Sequence, residues 1–429
     1  MRAFLGLVLL MGLVKKPTIS SYWNEGLTHR LSRTPGFGEV MTRNRFQLLL
    51  HVIHASDNAE PTPRTQPGDE LLDKFRPMFE LVNKSFASNY RLARDVCVDE
   101  RVVGFKGRHK LKQYLANKKK DKWGLQMWVL AESESGYTHQ FQASVGRKHG
   151  CARPPGKQNV GHRVVMELMQ PHLNKGHHVT LDSYFCSPGL CHALYDKGTF
   201  CTGTVAVRRQ GMPKSFNVPK RGLTRGQATS KVQGPLLAVL WPDRKVFTML
   251  TTLGTPRMED CPNAKGRTLK IPSVVNMYNH TMGGVDLGDQ FIKLYDPRLR
   301  SCKLWRKALF EVLLTAAVNA YVVYQRCWLQ SRKLGRLPFQ ESIVASLVGD
   351  QVTSRSASKL GPAPHPLRLT GRHFPGVLPQ KKRKQCAVCR GRSRVRSWCP
   401  DCGVGLCISN CFRVYHTVLQ LRSSAPNEE

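Results

Sequence analysis

The sequence predicts a mixed α/β chain of two or three modules, closed by a small metal-dependent tail. Its 429 residues exceed one typical domain. Apolar residues keep a helical spacing through 1–93, change to strand-like alternation near residue 96, and return to helical spacing after residue 300. Six of the 14 cysteines lie in the last 44 residues, four of them as two C-x-x-C pairs. A hydrophobic fraction of 41% supplies a core and excludes wholesale disorder.

The opening run, MRAFLGLVLLMGLVKKP, has the charge and apolar pattern of a signal peptide but no small-residue cleavage site, and it is too short to span a bilayer. A buried helix is expected there. MTRNRFQLLLHVIHAS and, past a Pro/Thr-rich loop at 61–67, LLDKFRPMFELVNKSFASNY read as amphipathic helices. VCVDERVVGF (96–105) is alternating and rich in β-branched residues, so a strand is expected, then a basic loop at 106–122. LQMWVLAES and GYTHQFQASVG read as two strands across a turn. A helix at 160–175 follows, then a short strand in HHVTLDSYF (177–185), a helix through GLCHALYDKG and a strand in TFCTGTVAV. Residues 207–235 read as a solvated basic arm, and LLAVLWPDRKVFTMLTT as a hairpin about Pro242 and Asp243. In the helix at 303–328, Glu311 and Asn319 mark a core element rather than a membrane span. Residues 351–385 lack any period and read as a linker ending in KKRK (381–384), a weak nuclear-localisation signal.

Charge narrows the partner. Lys plus Arg total 66 against 29 acids, a net charge of +37, which fits a polyanion whose phosphates these side chains neutralise. The eight scattered cysteines lack the dense, even framework of a secreted domain, so a reducing compartment is expected.

In the tail, Cys386, Cys389, Cys399, Cys402, Cys407, Cys411 and His416 place seven ligands within 31 positions. Zinc prefers four in a tetrahedron, and one C-x-x-C turn presents two thiolates. A domain this small needs the metal to fold. A cross-brace pairs Cys386 and Cys389 with Cys407 and Cys411. Cys399, Cys402 and His416 then bind a second ion whose fourth ligand the sequence leaves open, as it leaves open one ion or two. Closed thiolate sites have no open catalytic position, so their role is structural or in binding DNA or protein.

The aspartates are the candidate catalytic groups. Asp99 sits in mid-strand, where neither a cap nor a turn explains a carboxylate. Asp182 ends a strand, and Asp286 and Asp289 open a helix in NHTMGGVDLGDQF. Residues three apart share a helical face, so both are expected to point one way. Asp286 also reads as an N-terminal cap or dipole partner, and Asp182 as a turn former. If the strands lie side by side with the helix against them, three or four carboxylates converge. Such a group binds hard divalent cations, which can serve phosphodiester chemistry.

At these residues almost the entire chain resembles the piggyBac transposases and their domesticated descendants. VDERVVGFKGR, VTLDSYFCS and YNHTMGGVDLGDQ are similar to the three catalytic-aspartate segments, LWRKALFEVLLTAAVNAYVVY to the helix that follows, and the closing cysteine pattern to the cysteine-rich domain. The resemblance implies an RNase H-like α/β catalytic core (94–206 and 271–293) interrupted by a β-rich insertion (207–270). It also implies a split helical dimerisation and DNA-binding domain (1–93 and 294–350), the linker, and a zinc-binding domain at 386–420. Residue 1 would then fall inside the first helical domain. A triad of Asp99, Asp182 and Asp286, with Asp289 as a further required carboxylate, would use Mg²⁺ or Mn²⁺. The implied activity is cut-and-paste transposition by a nuclear homodimer that cuts transposon ends, passes through hairpins and inserts at TTAA. The alternative is a domesticated, catalytically inactive DNA- or chromatin-binding protein on the same scaffold.

Overall fold

Among the described residues, a mixed sheet of nine strands organises the larger unit. The computed structural model describes residues 1–24, 34, 36–57, 71–116, 121–146, 160–217, 224–262, 268–328, 333–349, 366–370, 372–379, 382–389 and 394–418. The expected Pro/Thr-rich loop, most of the linker at 351–385, parts of both basic loops and Lys381 lie outside the described residues. The chain divides into two units, Met1–Tyr22 with Asn44–Val348, and Trp23–Arg43 with Gly349–Glu429.

The helices are α1 (Arg2–Leu13), α2 (Phe37–Val40), α3 (Arg43–Val52), α4 (Arg76–Asn89), α5 (Val160–Met169), α6 (Pro188–Tyr195), α7 (Ser273–Thr281), α8 (Gly284–Leu294), α9 (Leu304–Cys327), α10 (Arg336–Val348) and α11 (Cys411–Thr417). The main sheet holds β1 (Asp95–Gly104), β2 (Gln113–Tyr114), β3 (Trp123–Glu132), β4 (Thr138–Ala143), β5 (His178–Leu181), β6 (Phe200–Thr204), β7 (Thr229–Gln233), β8 (Leu236–Pro242) and β9 (Val246–Thr251). Its order is β2-β3-β1-β5-β6-β9-β8-β7, with β4 paired to β3. β1 and β3 are antiparallel, whereas β5 and β6 run parallel to β1.

Strand alternation divides the core between two faces. Val96, Val98 and Leu130 pack with Val165 of α5 and Leu190 and Leu194 of α6. Cys97, Val103 and Val129 pack on the other face with Phe79 and Phe86 of α4, Val285 of α8 and Val312 of α9. Within the expected β-rich insertion at 207–270, β7, β8 and β9 extend the main sheet, and Leu236, Ala238 and Leu250 join its core. Of the described strands in this stretch, only β10 (Met258–Pro262) and β11 (Thr268–Pro272) pair apart from that sheet.

α1 packs against α10, so the first and last helical segments of this unit meet. A Cβ at Gly6 would come within 3.0 Å of Val348, and one at Gly12 would overlap the Tyr295 carbonyl. α9 is long and apolar enough to cross a membrane by length and composition, yet half of it is buried in the fold. Its Asn319 faces the free side of β4: Thr138 N–H donates to Asn319 Oδ1 (3.0 Å), and Asn319 Nδ2 donates to the Thr138 carbonyl (2.7 Å). Asn83 of α4 makes the same pair of bonds with Phe141, at 3.0 and 2.8 Å.

In the second unit, the Trp23 indole N–H donates to the Met41 carbonyl (2.8 Å) and its ring meets Phe37 of α2 edge-on. A small sheet of β12 (Gly376–Val377), β13 (Ser397–Cys399) and β14 (Val404–Gly405) packs with α11. Gly376–Val377, before the expected start at 386, takes part in this sheet. Arg368 donates to the Tyr415 and Val418 carbonyls, and Lys384, the last residue of KKRK, lies over the Trp398 ring and bridges to Val395.

Candidate functional site

Parallel pairing of β1 with β5 matches Asp95 to His178, Val96 to Val179, Cys97 to Thr180 and Val98 to Leu181. β5 ends there, and the next position of each strand is an aspartate. Asp99 and Asp182 thus emerge side by side where the ladder stops, each half-buried. Glu100 joins them, and one carboxylate oxygen from each of the three lies within 4.8 Å of the others. The turn after β5 is held by Asp182 itself: its side chain accepts from Tyr184 N–H (2.9 Å) and its carbonyl from Cys186 N–H (3.0 Å). Burial raises the Asp182 carboxyl above its ordinary value, the Tyr184 bond opposes this, and the Glu100 charge adds to it.

The corner between α7 and α8 is pinned over this end of the sheet. Thr281 shares a 2.7 Å hydrogen bond with Thr180 of β5, and its carbonyl accepts from Ser133 (2.6 Å). α8 lies close because two of its positions lack a side chain. A Cβ at Gly284 would sit 2.4 Å from the Glu132 carbonyl, and one at Gly288 would sit 2.9 Å from that of Gly136. Gly283, by contrast, faces open space.

The expectation that Asp286 and Asp289 point one way is corrected. Asp286 is exposed in the first turn of α8 and stands outside the group formed by Asp99, Glu100 and Asp182. Asp289 turns inward, where Arg101 Nε donates to its Oδ1 at 2.5 Å. Three residues of helix leave about 60° between two side chains, enough to separate them at the margin of a buried face. Arg101 is 1% exposed and also donates to Thr315 and Thr138. Nearby, burial raises the Glu311 carboxyl to about 7 against the pull of Arg101.

Two neighbours of the carboxylates carried no recognisable signal in the sequence. Glu100 adjoins Asp99 on a strand, where alternation argues against a shared site. Tyr278 on α7 is pushed up to about 12 by burial, with Asp182 and Asp99 adding to the shift, so its hydroxyl keeps its proton. Tyr278 also lines a cleft of about 470 Å³ with Thr204, Trp241, Phe247 and His280.

In the second unit the cysteines form two clusters. Cys386, Cys389, Cys407 and Cys411 bring their sulfurs within 4.8 Å of one another, as do Cys399, Cys402, His416 and His373 their ligand atoms. His373, 26 residues before Cys399, occupies the position that the sequence left open. His373 Nε2 is tied to the Thr370 carbonyl (3.0 Å) and presents Nδ1 to Cys399 and Cys402 at 3.5 and 3.6 Å. His416 Nδ1 is tied to the Phe412 carbonyl (2.7 Å) and presents Nε2 to Cys402 at 3.6 Å. Fixing one ring nitrogen on a carbonyl so that the other presents its lone pair to a metal is how ligand histidines are oriented. The donor sets, four sulfurs and two sulfurs with two nitrogens, suit zinc. The three carboxylates suit a hard divalent cation, which relieves their mutual repulsion.

A family model described as Transposase IS4 matches residues 1–321. Two human proteins are similar along most of the chain. PiggyBac transposable element-derived protein 3 is 24% identical over 436 residues, covering 97% of this chain and 70% of that protein. PiggyBac transposable element-derived protein 2 is 25% identical over 431 residues, with the same shares covered. Among solved structures, the cryo-EM structure of the piggyBac transposase synaptic complex with hairpin DNA aligns with a TM-score of 0.72 at 19% identity. It covers 95% of this chain and 87% of that one, which is a likeness of fold.

Proposed function

The chain belongs to the piggyBac-type Transposase IS4 family, and from that premise we propose that it is a DNA transposase with a metal-dependent phosphodiester site at Asp99, Asp182 and Asp286. The observation that carries this reading is the register of β1 and β5, which ends with Asp99 beside Asp182. We read β4-β3-β1-β5-β6 as an RNase H-like core. Asp99 and Asp182 would hold Mg²⁺ or Mn²⁺, with Glu100 at hand and Asp286 completing the set from the exposed first turn of α8. When bound, the cation supplies charge stabilisation at the scissile phosphate. Water attacks one phosphodiester, and the freed 3′-hydroxyl then attacks the next. Tyr278 keeps its proton beside these groups and can donate to a phosphate oxygen. Lys106, Arg108 and Lys110, exposed on the loop after β1, and Arg208 and Lys214 after β6 hold the DNA backbone.

Asp289 acts as a positioning residue, since its carboxylate is committed to Arg101. The two C-terminal clusters each hold one zinc ion and shape a module that binds DNA. Transposon ends and TTAA targets as DNA partners, hairpin intermediates, a homodimer and a nuclear location follow from the same reading. The similar solved structure is a synaptic complex with hairpin DNA, which supports the choice of partner.

The test is nicking of a supercoiled plasmid rich in TTAA by the full chain with Mg²⁺ or Mn²⁺. Asp99→Ala, Asp182→Ala and Asp286→Ala should each lower the rate by about 10³-fold or more, the equivalent of about 4 kcal/mol of transition-state stabilisation. Unchanged nicking in these variants would overturn the assignment. Salt-dependent DNA binding without cleavage in the unaltered protein would favour the inactive DNA-binding reading.

A further inference from the structure

Three cysteines outside the C-terminal clusters meet in the core beneath the Asp182 turn. Cys186 lies in that turn, Cys191 on α6 and Cys201 on β6, and all three are 0% exposed. Cys191 Sγ is 3.3 Å from Cys201 Sγ and 3.9 Å from Cys186 Sγ, and all three sulfurs lie within 4.8 Å of one another. A single buried thiol behaves as a small apolar group. Three from separate elements, with sulfurs in contact, form a donor set. A cation bound to three sulfurs at about 2.3 Å in a plane needs them about 4 Å apart, close to the separations observed. Gly203 makes room for the Cys186 sulfur, since a Cβ there would lie 2.8 Å from Cys186 Sγ and 2.7 Å from the Leu181 carbonyl.

We propose that Cys186, Cys191 and Cys201 form a third metal site, which takes one thiophilic d¹⁰ cation in three-coordinate sulfur geometry. Thiolates select such ions over the hard cations that suit the neighbouring carboxylates. Binding a divalent ion releases three thiol protons to solvent and leaves one net negative charge. Arg209 stands within electrostatic reach of Cys186 to balance that charge, held in place by the Ser183 and Tyr184 carbonyls. Ser183 and Tyr184 are themselves exposed, so the route for the ion runs through this turn. The site is coupled to the carboxylates by the backbone: Cys186 N–H donates to the Asp182 carbonyl at 3.0 Å. An ion on Cys186 therefore stiffens the turn that presents Asp182.

Cadmium NMR of the full chain after metal exchange tests this. The unaltered protein should give a resonance in the three-sulfur range, separate from those of the four-sulfur and mixed clusters. Cys191→Ala and Cys201→Val should each remove that resonance and leave the others. Its absence from the unaltered protein overturns the proposal, a reading that does not depend on any variant folding. Its persistence in both variants overturns it as well. Loss of the C-terminal resonances with the Cys191-dependent one retained supports the third site and counts only against the zinc assignment of the tail.

Discussion

Arg101 and Asp289 join the strand that carries Asp99 to the helix that carries Asp286, through a buried 2.5 Å hydrogen bond between Arg101 Nε and Asp289 Oδ1. Arg101 is two residues from Asp99, and Asp289 is three from Asp286, so this pair sets how the two acids stand to one another. Asp289→Ala leaves a buried guanidinium without its carboxylate and should destabilise the protein by about 3–5 kcal/mol in urea unfolding. Arg101→Met combined with Asp289→Leu should lose less than the two single changes summed. Strict additivity would count against a coupled pair.

The two glycines at the start of α8 should behave oppositely. Gly284→Ala forces a methyl against the Glu132 carbonyl and Cys97 Sγ, and should be destabilising by about 1–3 kcal/mol as α8 is pushed off the sheet. Gly283→Ala meets nothing within 4 Å and should leave the unfolding midpoint nearly unchanged. Equal effects at the two positions would refute the close approach at Gly284.

Metal analysis of the full chain should show His373→Ala losing one zinc equivalent, with the Cys386 cluster still loaded. On the proposed reading the histidine supplies one of four ligands, and its loss would open a closed tetrahedron. Unchanged zinc content would mean that the fourth ligand lies elsewhere.

His139 and His172 should make stability pH-dependent. Burial lowers both to about 4, with neighbouring His177 and Lys175 contributing, and their rings meet edge to face at 4.7 Å. The unfolded chain takes up a proton at each near pH 6.5, while the folded chain resists until about pH 4. Stability attributable to these groups should therefore be level above pH 6.5 and fall as the pH drops from 6.5 toward 4. His139→Gln should flatten that decline in urea midpoints measured across the range.

Part of the candidate site is legible from local pattern. Asp99 stood out because a mid-strand carboxylate has no turn or cap to explain it, and Asp182 because it ended a short apolar strand. That they adjoin depends on the β1–β5 register, which is a non-local pairing. Glu100 was hidden for the same reason: strand alternation argues against it unless one knows that β5 stops at Leu181. His373 lay in a segment without period, far in sequence from the cysteines it meets. The place of β7, β8 and β9 in the main sheet is likewise a matter of long-range pairing, to which a basic, glycine-rich approach gives no clue. Asp286 and Asp289 show the limit of helical spacing, since a buried arginine from another element decided which acid turned inward.

The paired bonds made by Asn83 and Asn319 have a consequence for how copies of this chain behave together. An open sheet margin is a template on which a foreign strand can grow, and aggregation often begins there. At β4, Thr138 and Phe141 already have their N–H and C=O groups taken by side-chain amides, which mimic one residue of a neighbouring strand and cannot be prolonged. A second molecule seeking to add itself at this margin would first have to displace four hydrogen bonds anchored on two packed helices.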